Sequence, residues 1–288
     1  MTIPTRHRPA PRRLPAVLAA AAFGVFLLLW TLLPLFTIVS TAITPRADLF
    51  DSGLWPSAPT LENFTLILRG GPDSPLPEFW TQLGNSLATA LGTTALVLTI
   101  ALLASYAIAR LRPRWGGPIS AGALALYVVP AAFLAIPLYL LMGNLGLLET
   151  IPGLILALTT ISLPYSVWML RQFGAAFPAE IEEAATMDGA GPGRIFVSLY
   201  VPLIRAPLVP VGMYVFLLAW NDFLYAFLFL TDPARLTVPI GMSSLLTEQA
   251  PWTAVMATGV LYSLVPITLF AIFRRHLVSG ATAGSATG

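Results

Sequence analysis

Apolar residues form six long stretches in this chain, and shorter polar segments separate them. The stretches cover approximately residues 16–43, 83–109, 118–142, 151–172, 206–229 and 252–273. A helix needs roughly 20 apolar residues to cross a hydrocarbon core about 30 Å thick. Because each stretch is about that long, the pattern predicts an all-α integral membrane protein. Its six transmembrane helices would form one domain over residues 16–275.

The first apolar stretch follows a basic, proline-rich segment, residues 1–15, and this order also occurs in secretory signal peptides. A signal peptide has an apolar core of about 7–15 residues and a cleavage site of small residues. The stretch 16–43 is longer than such a core and no clean cleavage site follows it. We therefore expect a retained first helix, with residues 1–15 and 276–288 as polar tails.

Composition supports a membrane protein and excludes several activities. The chain is 57% hydrophobic and only 10% charged, whereas soluble domains carry about 25% charged residues. It contains no cysteine, which excludes disulfides and thiolate metal sites. All 15 basic residues are arginine, and a P-loop requires a lysine to reach the phosphates. The chain is therefore not itself a P-loop ATPase.

The arginines are distributed unevenly between the two predicted sides of the membrane. The loops after the first, third and fifth predicted helices contain only three arginines, Arg46, Arg69 and Arg235. The other 12 lie in the two tails and in the loops after the second and fourth helices. Cytoplasmic loops carry the excess of basic residues in membrane proteins. We therefore expect both termini and the loop 173–205 to face the cytoplasm.

The stretch 182–202 is a polar interruption between two long apolar stretches. Pro178 and the acids Glu180 and Glu182 have the positions that favour a helix start. Gly189, which tolerates a positive φ angle, would end that helix in a bend, and a second short helix would follow. Spacing alone does not separate this shape from an ordinary cytoplasmic loop.

Motifs in this stretch resemble the EAA loop of ABC-importer permeases. The matching residues are Glu183-Ala184-Ala185, then Gly189, and finally Leu199, Val201 and Pro202, with Leu199 where the family has Ile and Val201 where it has Leu. Further matches are Asn85-Ser86-Leu87, Tyr106-Ala107-Ile108-Ala109-Arg110, Trp220-Asn221-Asp222-Phe223 and Thr237-Val238-Pro239-Ile240-Gly241. The chain thus resembles the MalG-type subunit of carbohydrate importers, although it lacks the lysine that the family usually has near its C-terminus.

This resemblance implies a MetI-like permease fold in the bacterial cytoplasmic (inner) membrane. It implies import of a sugar or sugar derivative by alternating access, with ATP hydrolysed by partner subunits and no enzymatic activity or cofactor in this chain. The implied partners are a MalF-like second permease, an ATP-binding-cassette ATPase dimer, an extracellular or periplasmic sugar-binding protein and the lipid bilayer, with no nucleic acid. The residues implied to couple to the ATPase are Glu182, Glu183, Ala184, Ala185, Asp188 and Gly189.

A candidate substrate path contains Asp222, an acid inside the predicted fifth helix. A charge at the bilayer centre costs about 2.5–3.5 kcal/mol on insertion scales, so Asp222 should face protein or water. Its neighbour Asn221 could form hydrogen bonds with sugar hydroxyls, and Trp220 could stack on a sugar face. The alternative role of Asp222 is a hydrogen bond between helices. For Asn85 and Ser86 we expect capping of the second helix.

Two other function classes compete with an ATP-driven importer. An ion-coupled secondary transporter would show internal repeats and several charged sites at mid-membrane, and this sequence shows neither. A membrane-embedded hydrolase would need a catalytic constellation. The two histidines, His7 and His276, lie near opposite ends of the chain, outside the predicted helices.

Overall fold

The computed structural model describes residues 14–50, 53–111, 114–175, 179–246 and 251–283, and within them every regular element is a helix. The helices are α1 (Leu14–Ala42), α2 (Glu62–Arg69), α3 (Phe79–Tyr106), α4 (Gly116–Tyr127), α5 (Ala131–Asn144), α6 (Ile151–Ala175), α7 (Ala179–Met187), α8 (Pro192–Ile195), α9 (Val201–Leu203), α10 (Arg205–Trp220), α11 (Leu224–Phe229), α12 (Val238–Ser243) and α13 (Trp252–Ala283). A π-turn, Ala107–Leu111, extends α3, and a second one, Phe196–Tyr200, joins α8 to α9.

Four of the predicted membrane spans are single long helices. These are α1, α3, α6 and α13, which correspond to the predicted first, second, fourth and sixth spans. The pair Pro192–Leu203 and Arg205–Trp220 meets the same criteria of length and composition, but it is bent by 75°. Four or five spanning helices therefore satisfy those criteria among the described residues, and the count of six stays a prediction.

The predicted third and fifth spans are each interrupted. Residues 128–130 separate α4 from α5, and residues 221–223 separate α10 from α11. In the first case Pro130 lacks the backbone N–H that a continuous helix would use, and proline also disfavours a helical conformation in the residue before it. We call these two non-helical segments the third-span break (128–130) and the fifth-span break (221–223).

The centre of the molecule is a bundle in which α3 packs against both α6 and α10. Gly92 of α3 lies so close to Ile155 of α6 that a Cβ atom there would overlap its side chain. A Cβ on Gly212 of α10 would lie 3.2 Å from Leu98 of α3. Because lipid is as apolar as leucine, such close backbone approach is what drives helices together in a membrane.

Helix α1 lies at the edge of the bundle against α13, with nearly all its described side chains exposed. The buried Asn63 of α2 fixes the C-terminal end of α1 because its amide nitrogen donates to the carbonyls of Ala42 and Thr44, both at 2.9 Å. Its amide oxygen accepts from Thr253 of α13 at 3.0 Å. One side chain thus joins the ends of two spans.

The expected capping role of Asn85 and Ser86 is wrong. Helix α3 begins at Phe79, so both residues lie inside the helix rather than at its start. Asn85 instead donates to the carbonyls of Ala234 and Leu236 at 3.0 Å, and Ser86 accepts from the N–H of Val238. These two residues attach the loop before α12 to the side of α3.

Candidate functional site

The segment 179–203, which we call the inner segment, has the helix–bend–helix shape that the sequence predicts. Helix α7 ends at Met187, a turn follows, and α8 begins at Pro192. Gly189 has φ +82°, which confirms the predicted backbone freedom at this position. Pro178, expected at the start of α7, lies outside the described residues. The turn reverses the chain so that α7 and α8 both lie beside the end of α3.

An ion pair attaches α7 to the end of α3. The Nε atom of Arg110 lies 3.4 Å from Oε1 of Glu182, and the two side chains are only 4% and 18% exposed. Partners held away from water attract each other more strongly than a pair at an open surface, and removal of either one leaves a poorly solvated charge. Glu182 therefore binds within its own chain.

Aromatic residues attach the second half of the inner segment to the same helix end. The hydroxyl of Tyr106 donates to the carbonyl of Pro192 at 3.2 Å, and the Tyr106 ring contacts that of Phe196. The hydroxyl of Tyr200 donates to Ser105 at 3.1 Å. Tyr200 also fills the space that a Cβ on Gly174 of α6 would occupy. Together these contacts fix the inner segment to α3 and α6.

The opposite side of α7 points away from the helix bundle and is exposed. Glu183, Ala184, Asp188 and Gly189 are exposed, and Ala185 is half-buried. Next to them, Ala185 of α7, Asp188 of the turn and Arg194 of α8 help to line a cavity of about 260 Å³. The structure thus separates the six expected coupling residues: Glu182 faces the bundle, and most of the others form an open, small-residue surface with one exposed acid at its start.

Asp222 caps the short helix that follows the fifth-span break. Its carboxylate accepts from the backbone N–H groups of Ala226 at 2.9 Å and Tyr225 at 3.4 Å. The first N–H groups of any helix lack partners inside the helix, and an aspartate before it satisfies them. Asn221 is exposed and its amide donates to the Leu217 carbonyl at 2.8 Å. Both side chains therefore serve the backbone at the break.

Trp220 lies in the core beside that break. It is 1% exposed, and its ring stacks on Tyr262 of α13 with ring centroids 4.3 Å apart and on Phe216 at 5.5 Å. The Tyr262 hydroxyl donates to the Trp220 carbonyl. In this conformation the indole has no free face on which a sugar could stack. Trp220 is therefore not brought together with Asn221 and Asp222 in one open site.

Two loops at the opposite end of the bundle are held together by Glu149. Its carboxylate accepts from the N–H and hydroxyl of Thr231 and from the N–H of Asp232, and its carbonyl accepts from Arg235. Burial alone would raise the pKa of Glu149, but these hydrogen bonds and the Arg235 charge lower the pKa below its usual value. Glu149 adopts φ +58°, unusual for a residue with a side chain. We call this arrangement the outer clamp; it joins the ends of α5 and α11.

A cavity that the sequence did not indicate opens at the third-span break. Its volume is about 450 Å³, and its polar side chains are Tyr127, Tyr214 and Thr160. The signal available in the sequence was Pro130 inside an apolar run, which predicts a kink without predicting the space beside it. Both tyrosines lie in apolar stretches, where the sequence pattern does not separate an aromatic residue that packs between helices from one that lines a cavity.

Comparison with known proteins identifies relatives over nearly the whole chain. A family model described as "Binding-protein-dependent transport system inner membrane component" matches residues 98–282. The trehalose transport system permease protein SugB of Mycobacterium tuberculosis is 34% identical over 262 residues, covering 90% of this chain and 93% of SugB. The sulfoquinovosyl glycerol transport system permease protein SmoH of Agrobacterium fabrum is 35% identical, covering 89% of each chain.

The fold also matches a solved structure. A chain from the crystal structure of a bacterial ABC transporter involved in the import of the acidic polysaccharide alginate superposes with a TM-score of 0.76. The match covers 94% of this chain and 99% of that chain, at 20% sequence identity. At this identity the likeness concerns the fold alone.

Proposed function

Because the chain belongs to the family of binding-protein-dependent transport system inner membrane components, we propose that it is the permease subunit of an ABC importer for a sugar or sugar derivative. The observation that carries this proposal is the family match over residues 98–282, together with relatives named for trehalose and sulfoquinovosyl glycerol transport. The subunit would move its substrate inward by alternating access, while ATP is hydrolysed by partner subunits.

The inner segment would be the part that receives force from the ATPase. Support comes from its two-sided construction, since Glu183 and Ala184 of α7 and Asp188 of the turn are exposed while Glu182 binds Arg110. Small residues let a partner's backbone approach closely, and an exposed acid can accept charge-assisted hydrogen bonds from a partner's arginine. Glu182 would then transfer the movement of α7 to α3.

The proposed assembly contains a second, MalF-like permease, an ATPase dimer and an external sugar-binding protein. Its orientation, with the inner segment and both termini on the cytoplasmic side, is supported by the arginine distribution. The exposed apolar side chains of α1 suit lipid contact. Asn221 and Asp222 would border the substrate path, with Trp220 supporting them from the core rather than stacking on the sugar.

The substrate class is tested by uptake of labelled sugars into cells that express the complete transporter. We expect accumulation of a small sugar or glycoside and propose labelled trehalose, sulfoquinovosyl glycerol and alginate oligosaccharides as the panel. Accumulation should require ATP and should persist when the ion gradients are collapsed in proteoliposomes supplied with ATP. Uptake that follows an ion gradient and ignores ATP would contradict the proposal.

The coupling role is tested by two matched glycine substitutions in the same turn. Gly189→Asp places a side chain at φ +82°, whereas Gly191→Asp places the same charge two residues away at φ −74° in the cap position of α8. A side chain in the left-handed region costs about 1–2 kcal/mol, which corresponds to about tenfold in an equilibrium. We expect Gly189→Asp to lower uptake by an inserted protein by about tenfold and Gly191→Asp to retain it. Equal uptake by both variants would refute the role of the bend.

The acid at the start of the open surface gives a second test. Glu183→Gln should weaken association with the ATPase by roughly tenfold or more, because a hydrogen bond to a charged group contributes about 1.5–3 kcal/mol. Glu180→Gln changes another exposed acid of α7 and is the control. Co-purification of the ATPase with each variant provides the measurement. If both substitutions weaken association equally, Glu183 has no specific partner.

A further inference from the structure

We infer that the cavity at the third-span break, which we call the tyrosine cavity, binds a ring of a neutral sugar on its way through the membrane. The inference rests on the proposed function and deepens it, because it places a substrate contact in this subunit and limits the charge of the substrate. Nothing in the sequence comparisons assigns a role to these residues.

The position of the break requires a polar or covered environment. Twelve helical residues of α4 precede the break and 14 of α5 follow it, so it lies near the middle of the span. Unpaired backbone groups at membrane depth are tolerated only where they are buried in protein or line a water-filled cavity. Residues 128–130 are exposed in this chain and line the tyrosine cavity. The break is partly bonded within the chain, since the Val128 N–H donates to the Ala125 carbonyl at 3.2 Å and the Pro130 carbonyl accepts from Phe133 at 2.9 Å. The cavity gives a ligand access to this non-helical backbone.

Both interrupted spans meet at this cavity. The hydroxyl of Tyr225, in the first turn of α11, donates to the carbonyl of Ala131 at the start of α5 at 2.6 Å. Tyr214 and Leu218 of α10, which precede the fifth-span break, line the cavity together with Ala131. Sites between discontinuous helices near mid-membrane are where transporters commonly hold their substrates. The Tyr225 bond fixes the two broken helices relative to each other.

The chemistry of the lining suits a sugar. The volume of about 450 Å³ lies in the range of roughly 300–1,000 Å³ that small-molecule sites occupy. The Tyr214 hydroxyl donates to Tyr127 over 3.4 Å, which leaves the Tyr127 proton and lone pairs of both oxygens for a ligand. Tyr165 does not line the cavity but packs against both tyrosines that do. Its ring centroid lies 4.6 Å from that of Tyr214 and 5.1 Å from that of Tyr127. Aromatic rings and hydroxyls together match the apolar faces and polar edges of a sugar ring.

The lining also selects against charge. Every described residue that lines the cavity is uncharged, and Thr160, its third polar side chain, already donates to the Leu156 carbonyl. An anionic sugar would find no cation in this lining to pair with. Transfer of its unpaired charge from water into a site of low dielectric constant would cost free energy. We therefore expect trehalose, which is neutral, to be transported in preference to sulfoquinovosyl glycerol, whose sulfonate is anionic.

The first test removes single hydroxyls in the complete transporter. Tyr214→Phe and Tyr127→Phe should lower the amount of trehalose moved per ATP hydrolysed by about two- to tenfold, the effect of one lost neutral hydrogen bond. Tyr139→Phe, which removes a hydroxyl outside the cavity, is the control and should keep the wild-type ratio. Loss of folded protein lowers uptake and ATP hydrolysis together and leaves the ratio unchanged. Wild-type ratios in both cavity variants would overturn the inference.

The second test needs no sugar and uses the absence of cysteine from the chain. Val128 and Ile136 belong to the same interrupted span and are 77% and 71% exposed, but only Val128 lines the cavity. A water-soluble, charged methanethiosulfonate should modify Val128→Cys at least about tenfold faster than Ile136→Cys, because thiols in lipid rarely ionise. Equal rates would overturn the inference.

The two proposals fail in distinguishable ways. If Val128→Cys reacts quickly and trehalose protects it, the cavity binds a neutral sugar in this subunit. Rapid reaction without protection by trehalose, in a wild type that accumulates trehalose, overturns the cavity as a sugar site and leaves the transport function intact. A transporter that accumulates no sugar of the panel overturns the proposed function itself.

Discussion

The two interrupted spans differ in how each satisfies the backbone at its break. At the fifth-span break, Asp222 accepts from the free N–H groups of α11, and Tyr262 donates to the carbonyl of Trp220. At the third-span break, residues 128–130 carry only apolar side chains, and an open cavity lies beside them. Side chains bond the backbone at the fifth-span break, whereas backbone groups pair with each other at the third-span break, from Val128 to Ala125 and from Phe133 to Pro130, and leave a cavity beside it.

This difference shows why polarity along the sequence does not by itself locate a ligand site. A carboxylate inside an apolar span attracts attention as a binding group, but here Asp222 is occupied by backbone N–H groups. At the third-span break, Pro130 is the only residue whose type indicates that the helix is interrupted. We therefore expect a structural role for the fifth-span break and propose a binding role for the third-span break, and substitutions at four positions test this contrast.

The largest expected effect is that of Trp220→Ala. Truncation of a buried aromatic residue costs about 3–5 kcal/mol in soluble cores, through lost contacts and a residual cavity. Because Trp220 is stacked on Tyr262 and Phe216, we expect a large drop in the melting temperature of the purified protein. A variant that melts like the wild type but loses sugar selectivity would instead make Trp220 a substrate contact and reverse the comparison.

Asp222→Ala should have the next largest effect. Loss of a helix cap costs about 0.5–2 kcal/mol, so the melting temperature should fall, while Asp222→Asn, which keeps an accepting oxygen, should restore most of it. Thermal unfolding of both variants in detergent gives the comparison. If Asp222→Asn also removes transport although it melts like the wild type, the negative charge itself acts on the substrate path.

A smaller effect should follow from Glu149→Gln at the outer clamp, which joins the two spans beyond their breaks. The pKa of Glu149 is lowered in the folded protein, so its carboxylate stabilises the fold above the ordinary pKa of 4.5, and this contribution is lost as pH falls through the folded pKa. The melting temperatures of wild type and variant should therefore differ at neutral pH and converge on acidification below 4.5. A constant difference at all pH values would contradict an ionised clamp.

Asn221→Ala should have the smallest effect. Its amide is exposed and bonds only to the carbonyl one turn earlier, and surface substitutions of this kind usually lie within about 0.5 kcal/mol. Stability and the ratio of sugar moved to ATP hydrolysed should both match the wild type. A lowered ratio with unchanged stability would make Asn221 a direct substrate contact and weaken the contrast between the two breaks.

Much of the architecture could be predicted from hydrophobic length. The first, second, fourth and sixth apolar stretches became α1, α3, α6 and α13 with ends within a few residues, apart from α13, which continues to Ala283. Membership in the importer family was likewise evident from the EAA motif and is confirmed. The chain is a transport subunit, and the ATPase activity of its family lies in partner proteins. The positive φ angle of Gly189 could be predicted because glycine lacks a Cβ atom and adopts this conformation whatever its neighbours are.

Features that depend on distant contacts could not be predicted. Glu182 and Glu183 are neighbours in sequence, and only the position of Arg110, 72 residues before Glu182, decides which one faces the bundle. Asn85 looked like a cap because its partners, Ala234 and Leu236, lie about 150 residues away. In each case the local sequence allows several roles for the side chain. Contacts with residues far away in the sequence decide which role it has, and a local pattern contains no information about those contacts.

Helix α3 contacts loops at both surfaces of the membrane. Tyr106 and Arg110 hold the inner segment, and Asn85, about 32 Å away along the helix axis at 1.5 Å per residue, holds the loop that continues from the outer clamp. Helix α3 contains no proline between Asn85 and Tyr106. If the inner segment receives force from an ATPase as proposed, a displacement of this end of α3 would reach its other end without passing through either interrupted span.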